Sequence, residues 1–149
     1  HQQITNLIDK FSGQVSGDSI IEKNQVEIKE IFEQENIEEI LNKTYSLIQN
    51  GSEFSKNTEH ELKGKSPTSL KITFKQIHMA TEMSLRDALI MEYRMVQRCQ
   101  ASGDFYEGVR AMLVDKDRNP QWKPSNLDKV DEIWVNHFFE PLHEKDLKI

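Results

Sequence analysis

Residues 66–101, SPTSLKITFKQIHMATEMSLRDALIMEYRMVQRCQA, contain two consecutive helix signals and decide the fold class. Ser66 followed by Pro67 is typical of an N-cap and a first helical position. The serine oxygen can accept an unpaired backbone N–H, and proline has no N–H to leave unpaired. Ser84 gives the second signal, and we expect its helix to cover about residues 85–101.

The apolar residues of these two helices predict which faces are buried. In the first helix, Leu70, Phe74 and Ile77 form one stripe at helical spacing, with Ile72 partly on another face. Gly103 is expected to close the second helix. The second helix is expected to bury Leu85, Leu89, Val96 and Cys99, flanked by Ala88 and Met95.

Three further helices are predicted before residue 66. The first should end at Ser12-Gly13, ahead of a polar loop at Gly17-Asp18. The third should begin at a capping box of Asn36 and Glu39 and stop at Asn50-Gly51, and a polar stretch then leads to residue 66. Their apolar faces are, in order, Ile4, Leu7, Ile8 and Phe11; Val26, Ile28, Ile31 and Phe32; and Ile37, Ile40, Leu41, Leu47 and Ile48.

After residue 103 the pattern predicts a short helix from Asp104 through Met112, a turn-rich loop over Asp115–Pro124, and a last helix. Ser125 and Asp128 are expected to cap that last helix. Its apolar residues are Val130, Ile133, Trp134, Phe138 and Leu142. No period-2 strand and no internal repeat occurs in the sequence, so we expect an all-α fold of six or seven helices.

Charge divides the chain unevenly. Residues 1–65 hold seven Lys/Arg against twelve Asp/Glu, whereas residues 66–149 hold twelve against thirteen. We therefore expect an acidic helical segment over 1–65 and a helical C-terminal region over 66–149, packed as one compact unit. The acidic segment is more typical of a solvated helix face than of a binding site.

The composition limits the class of protein. The chain has 149 residues, a net charge of -6 and one cysteine, which excludes an internal disulfide framework. Its apolar runs are far shorter than the ~20 residues of a membrane-spanning helix. The acidic balance argues against a nucleic-acid partner. Because the sequence opens with His1 rather than Met, we expect it to be part of a longer protein.

Several chemical motifs are incomplete. Asp115, Asp117 and Asn119 have the spacing of a calcium loop, but proline and asparagine replace its glycine and its last glutamate. One E-x-x-H pair, Glu140 with His143, is too little for a di-metal bundle site. No G-x-S-x-G nucleophile elbow occurs, since the closest stretch is GQVSG at residues 13–17. Cys99 is expected to be a buried, inert thiol. The residues therefore predict no catalytic group and no metal site.

Two segments nevertheless resemble a known family. They are SPTSLKIT at residues 66–73 and DFYEGVRAMLVDKDRNPQW at residues 104–122, with MEYR at residues 91–94 between them. The D-F-x-E-G-x-x-A run followed by K-x-x-x-P-x-W is similar to the ending of the enoyl-CoA hydratase (crotonase) superfamily. The other two segments are similar to its 3-hydroxyisobutyryl-CoA hydrolase branch. The resemblance covers 66–124 strongly and the rest collinearly.

Within this signature we expect mostly structural roles. Asp104 is a candidate N-cap, and Glu107 at N3 would complete a reciprocal cap. Gly108 would allow a close approach, Arg110 would pair with a carboxylate or helix end, and Trp122 would anchor its loop.

The resemblance implies the C-terminal helices of a CoA-thioester hydrolase. Its β/α spiral core, oxyanion hole and catalytic carboxylates would lie in earlier sequence, so the chain itself would be inactive. CoA would be part of the substrate rather than a cofactor. The implied partners are an acyl-CoA bound through that core, the core domain itself and possible further copies of the protein. The mitochondrial matrix is the implied location, with the peroxisome less favoured because the chain ends in DLKI rather than SKL. Two alternatives stay open: an enoyl-CoA hydratase or isomerase, and a non-catalytic relative such as a mitochondrial ribosome component.

Overall fold

In a computed structural model that describes residues 2–12 and 19–149, α-helices follow one another along the chain. The helices are α1 (Gln2–Phe11), α2 (Ile20–Lys23), α3 (Gln25–Phe32), α4 (Ile37–Gln49), α5 (Glu53–Lys63), α6 (Pro67–Ala80), α7 (Leu85–Ala101), α8 (Asp104–Val109) and α9 (Glu132–His137). A π-helical turn follows α8, and 3-10 turns flank α9 (Arg110–Val114; Leu127–Lys129 and His143–Lys145). The described ranges contain no strand, which confirms the all-α prediction with more helices than expected.

The predicted helix starts are formed by side-chain caps. Ser66 Oγ accepts from Ser69 N at 3.2 Å, and Ser84 Oγ accepts from Asp87 N at 3.2 Å. Asn36 Oδ1 accepts from the backbone N–H of residue 39 at 2.8 Å. The capping box is displaced by one residue, however, because the Glu39 carboxylate accepts from the backbone N–H of residue 35 at 3.2 Å.

The helix stops also follow the sequence. Gly51 and Gly103 both have positive φ, +90° and +89°, a conformation in which a Cβ would be strained. The predicted stop at Gly13, the loop at Gly17-Asp18 and the GQVSG stretch lie outside the described residues.

Helix α5 replaces the predicted polar stretch. Ser52 caps it by accepting from Ser55 N at 3.0 Å, and the Ser55 side chain is fully buried, donating to the Glu27 carboxylate on α3. Only Phe54 and Leu62 of α5 are large and apolar, and both pack on the same cluster as α4. A helix with so narrow an apolar stripe gives no periodic signal, so the sequence did not predict it.

The start of the last helix was predicted too early. Residues 127–129 form a 3-10 turn, and α9 begins only after Asp131, whose Oδ1 accepts from Trp134 N at 2.7 Å. Asn126 precedes the 3-10 turn without a side-chain cap. The predicted caps Ser125 and Asp128 therefore do not begin α9.

The buried face of α7 differs from the predicted one. Met91 and Met95 are buried and Cys99 packs against the same cluster, whereas Leu85 is 78% exposed. Leu89 and Val96 are exposed as well. The helix carries two apolar stripes, and the neighbours that α7 meets in the fold select the methionine stripe. Spacing within the helix cannot make that choice.

Two hydrophobic clusters make the core, and α6 lies between them. The C-terminal cluster contains six buried residues from α6, α7 and the α9 region: Ile72, Met91, Met95, Val130, Val135 and Phe138. The N-terminal cluster has Ile31, Ile37 and Ile40 as its buried residues, with α6 contributing Leu70 and Phe74. Ile77, predicted to share the latter stripe, is exposed.

Some apolar surface stays uncovered. Helix α1 forms as predicted, but Ile4, Leu7 and Ile8 on its apolar face are each more than half exposed. Within the described ranges, none of the helices is both long enough and apolar enough to cross a bilayer.

Candidate functional site

Asp104 joins three parts of the fold at the start of α8. Gly103 is the N-cap residue of α8, so Asp104 is the first helical residue and not the N-cap that the sequence predicts. Its buried carboxylate accepts from Ser66 Oγ at 2.6 Å and from Lys123 N at 2.9 Å. The same carboxylate thus connects the beginning of α6 to the loop before residue 124.

Glu107 pairs with Arg110 rather than closing a reciprocal cap. Arg110 Nε lies 2.9 Å from Glu107 Oε2, and Arg110 Nη2 lies 2.8 Å from Oε1. Glu107 Oε1 also accepts from Gln121 N at 2.6 Å. This two-point geometry fixes both planar groups, as is usual for an arginine facing a carboxylate.

The two aspartates of the calcium-like spacing bind the same arginine. Arg110 Nη1 donates to Asp115 Oδ2 at 2.7 Å and to Asp117 Oδ2 at 2.6 Å. We call these four residues, Glu107, Arg110, Asp115 and Asp117, the Arg110 clasp. The clasp folds the loop back onto the π-helical turn, so these aspartates serve an ion-pair network.

The clasp favours the ionised form of Glu107 and Asp117. Hydrogen bonds from Arg110 and from the backbone of Gln121 lower the pKa of Glu107 to about 2. Hydrogen bonds from Arg110 and Asn119 N lower the pKa of Asp117 in the same way, and the carboxylates raise the pKa of Arg110. A carboxyl group with so low a pKa is a poor general base near neutral pH, which assigns the clasp to structure rather than to proton transfer.

We expect Arg110→Met to flatten the acid dependence of stability. The folded chain holds the Glu107 proton more weakly than the unfolded chain. The ionised Glu107 side chain therefore stabilises the folded chain fully above the ordinary pKa of 4.5, and this contribution is lost as the pH falls towards about 2. Without the guanidinium the larger part of this loss disappears, and the part due to the Gln121 N–H remains. Urea unfolding at several pH values between 7 and 2.5 measures it, with Arg86→Met on the exposed side of α7 as the control; equal pH slopes in both variants would contradict the clasp.

Trp122 and Gly108 form the apolar half of the same junction. The Trp122 ring covers Gly108 so closely that a Cβ there would lie 3.3 Å from Cη2. Trp122 Nε1 also donates to Gly64 O at 3.1 Å, just before α6. A close approach at Gly108 is present, but it is made by the Trp122 side chain and not by the helix or backbone that the sequence predicts. The same contact and the bond to Gly64 hold Trp122 in its loop.

A largely apolar cavity of about 560 Å³ lies beside this junction. It is lined by signature residues and by both neighbouring helices, among them Thr68, Ile72, Cys99, Phe105, Val109 and Trp122. Cys99 is half-buried rather than buried as predicted, and this burial raises the pKa of its thiol. Thr68 Oγ1 is buried and has no hydrogen-bond partner among the described residues.

Sequence reasoning missed one long-range pair. Arg94, inside the MEYR segment, binds Asp146 through two guanidinium nitrogens, with Nε at 2.8 and 3.0 Å from the carboxylate oxygens. The pair raises the pKa of Arg94 and lowers that of Asp146. It holds the C-terminal segment on α7, and no local spacing could have indicated partners 52 residues apart.

The other candidate residues are not brought together as a site. Glu140 accepts from His137 Nδ1 at 2.9 Å, and not from its E-x-x-H partner His143. Within residues 2–12 and 19–149 there is no group of three or more His, Cys, Asp or Glu side chains placed to hold a metal. What the geometry supports is a polar and aromatic junction that fixes helix starts and a loop.

A comparison with protein families fits the fold and this junction. The sequence pattern of the family described as "Enoyl-CoA hydratase/isomerase" matches residues 1–139. The chain therefore belongs to the enoyl-CoA hydratase/isomerase family.

Within that family, curated relatives share one name. A protein from Gallus gallus named "3-hydroxyisobutyryl-CoA hydrolase, mitochondrial" is 39% identical over 152 residues, covering 99% of this chain and 39% of the relative. A Homo sapiens protein of the same name is 41% identical over 129 residues, covering 87% of this chain and 33% of the relative. The chain thus spans well under half the length of these relatives.

Solved structures agree on the fold. An enoyl-CoA hydratase from Rhodobacter sphaeroides 2.4.1 superimposes with a TM-score of 0.82 at 25% identity, covering 99% of this chain and 44% of that one. A carnitinyl-CoA dehydratase from Mycobacterium thermoresistibile gives a TM-score of 0.80 at 26% identity, covering 91% of this chain and 38% of that one.

Proposed function

We propose that this chain is the helical C-terminal part of a CoA-thioester hydrolase that acts on 3-hydroxyisobutyryl-CoA in valine catabolism. The observation that carries the proposal is the identity of about 40% to relatives of that name over nearly the whole chain. The mitochondrial names of those relatives support a mitochondrial location, and we place the enzyme in the matrix.

The catalytic groups, in this proposal, lie outside the 149 residues. The Asp104 carboxylate already accepts hydrogen bonds from Ser66 and Lys123. The Glu107 carboxylate accepts hydrogen bonds from Arg110 and Gln121. The chain would act by packing on the enzyme's own N-terminal core domain, to which the acyl-CoA binds. CoA is part of the substrate, no separate cofactor is needed, and further copies of the enzyme are possible partners.

A hydratase or isomerase acting on an enoyl-CoA is the second candidate. The Rhodobacter sphaeroides enoyl-CoA hydratase favours it, since that structure superimposes over almost the whole chain. Sequence identity favours the hydrolase, because the relatives of that name are about 40% identical to this chain and this hydratase is 25% identical.

A replacement experiment tests the proposal. The region of the Gallus gallus hydrolase that matches this chain is replaced by residues 1–149, and thiol release from 3-hydroxyisobutyryl-CoA is measured. The corresponding region of the Rhodobacter sphaeroides hydratase, inserted in the same place, is the matched control. We expect thiol release from the first chimera and none from the isolated chain.

Two outcomes would contradict this assignment. Thiol release by the isolated chain would place the catalytic groups within it. Equal activity of the two chimeras would mean that the hydrolase-like segments carry no preference for this branch of the family.

A further inference from the structure

The two hydrophobic clusters meet where α4 packs against α6, a boundary that we call the seam. Every fully buried residue of the N-terminal cluster lies on α3 or α4, and every one of the C-terminal cluster lies at or after Ile72. Residues that cross to the N-terminal cluster from the C-terminal side, Leu70, Phe74 and Leu127, are only partly buried. The contacts that α6 and Leu127 add across the seam are therefore made by partly buried side chains.

Cavities open on both sides of this seam. One of about 470 Å³ lies between the start of α4 and the α6–α9 surface, with Glu38 and Lys71 in its lining. Another of about 400 Å³ lies between α3–α5 and α6. Ile37 and Phe74 line both cavities. Both cavities are open grooves, so solvent reaches this boundary from two sides.

Residues 64–66, which connect the N-terminal helices to α6, are held by a hydrogen bond at each end. Gly64 O accepts from Trp122 Nε1 at 3.1 Å, and Ser66 Oγ donates to Asp104 Oδ2 at 2.6 Å. Both anchors belong to the C-terminal region. Residues 64–66 therefore stay with α6 and α8 while the chain before them is free of these anchors.

Lys71 bridges the seam away from that junction. Its Nζ lies 2.6 Å from Glu38 Oε1 on α4 and donates to Val130 O at 3.0 Å, and its side chain is 21% exposed. Among the described residues, the Lys71–Glu38 pair is the one ion pair across the seam, apart from the Lys65–Glu61 pair in the connecting segment.

We propose that residues 19–63 form a hinged unit that opens about residues 64–66, with the Lys71–Glu38 pair as its latch. Opening separates Ile37 on α4 from the facing side of α6, while the buried residues within each hydrophobic cluster stay packed against one another. The device is independent of the proposed enzymatic activity, because it rests on contacts within this chain.

Thiol labelling measures the opening directly. In a Cys99→Ala background, Ile37→Cys places a thiol in the seam and Met95→Cys places one inside the C-terminal cluster; both native side chains are buried. Leu70→Cys, on the facing wall and partly buried, is used only for the change in its labelling rate when the latch is removed. We expect the Ile37→Cys thiol to react faster than the Met95→Cys thiol under native conditions, because local opening needs less free energy than global unfolding.

The latch has a matched control. Lys71→Met should raise labelling of the seam thiols about fivefold and leave the Met95→Cys thiol unchanged. Lys43→Met removes a pair of similar length, 2.7 Å to Glu30, that lies wholly within the hinged unit, and should not raise seam labelling. Glu38→Gln, which keeps the bond from Lys71 to Val130, must reproduce the effect of Lys71→Met.

Three outcomes would overturn the proposal. Equal labelling rates at seam and cluster, changing together with urea, would show one cooperative body. An equal effect of Lys43→Met would remove the latch, and so would unchanged seam labelling in Glu38→Gln.

Discussion

Phe138→Ala is expected to lower the free energy of unfolding by about 4 kcal/mol, the range found when a fully buried aromatic side chain is truncated. Phe138 is 1% exposed and lies in the C-terminal cluster with Ile72, Met91 and Met95. It also meets the Trp134 ring edge-on, with centroids 5.3 Å apart. Removing it leaves a cavity where α6, α7 and α9 meet, next to the cavity it already lines.

Phe105→Ala is the matched control for this loss. Phe105 is 50% exposed at the start of α8, and its ring contacts Tyr106 edge-on at 5.4 Å. The same truncation there should cost about 1 kcal/mol or less, because little area returns to water. Urea unfolding followed by far-UV circular dichroism compares the two, and similar losses would mean that the C-terminal cluster does not carry the stability we assign to it.

The helix boundaries were predictable where a single residue type decides them. Ser66 with Pro67, and Ser84, mark helix starts through local hydrogen bonds, and Gly51 and Gly103 mark stops through φ. Such signals depend on a few neighbouring residues, so one sequence suffices to find them.

Burial was less predictable, because it depends on what a helix meets. Helix α7 offers a leucine stripe and a methionine stripe of similar apolar character, and the fold buries Met91 and Met95 while Leu85 is exposed. Helix α5 shows the converse: a polar sequence becomes helical because Ser55 is buried against Glu27. In both helices tertiary contacts outweigh local propensity.

The junction was predictable in its local part only. Arg110 and Glu107 are three residues apart on one helical turn, so a pair between them is favoured by spacing. Ser66 and Asp104, however, are 38 residues apart, and their hydrogen bond exists because α6 and α8 begin side by side. The sequence predicts that Asp104 caps α8, whereas its carboxylate binds Ser66 at the start of α6.

The uncovered apolar faces fit a chain that spans less than half of its relatives. Ile4, Leu7 and Ile8 on α1, and Leu85 and Val96 on α7, are all at least half exposed. Helices of soluble proteins normally turn such stripes towards a core. In the proposed enzyme these faces are the natural contacts for the remaining sequence, and the buried methionine stripe of α7 is the part that this chain packs by itself.

Asp104→Ala is expected to cost about 2 kcal/mol, because it leaves the buried Ser66 Oγ–H and the partly buried Lys123 N–H without their acceptor. The loss should reach both the start of α6 and the loop that carries Trp122. Asp128→Ala, at an exposed aspartate in the 3-10 turn, is the control and should change stability by about 0.5 kcal/mol or less.

A double-mutant cycle separates the junction from simple loss of a charge. Ser66→Ala alone removes both the hydrogen bond to Asp104 and the helix cap on Ser69. If the Ser66–Asp104 bond carries the junction, the double variant loses less than the sum of the two single variants, by about 1 kcal/mol or more. Strict additivity in urea unfolding would mean that the two side chains act separately, and that the beginning of α6 is held to α8 by the Trp122 contact alone.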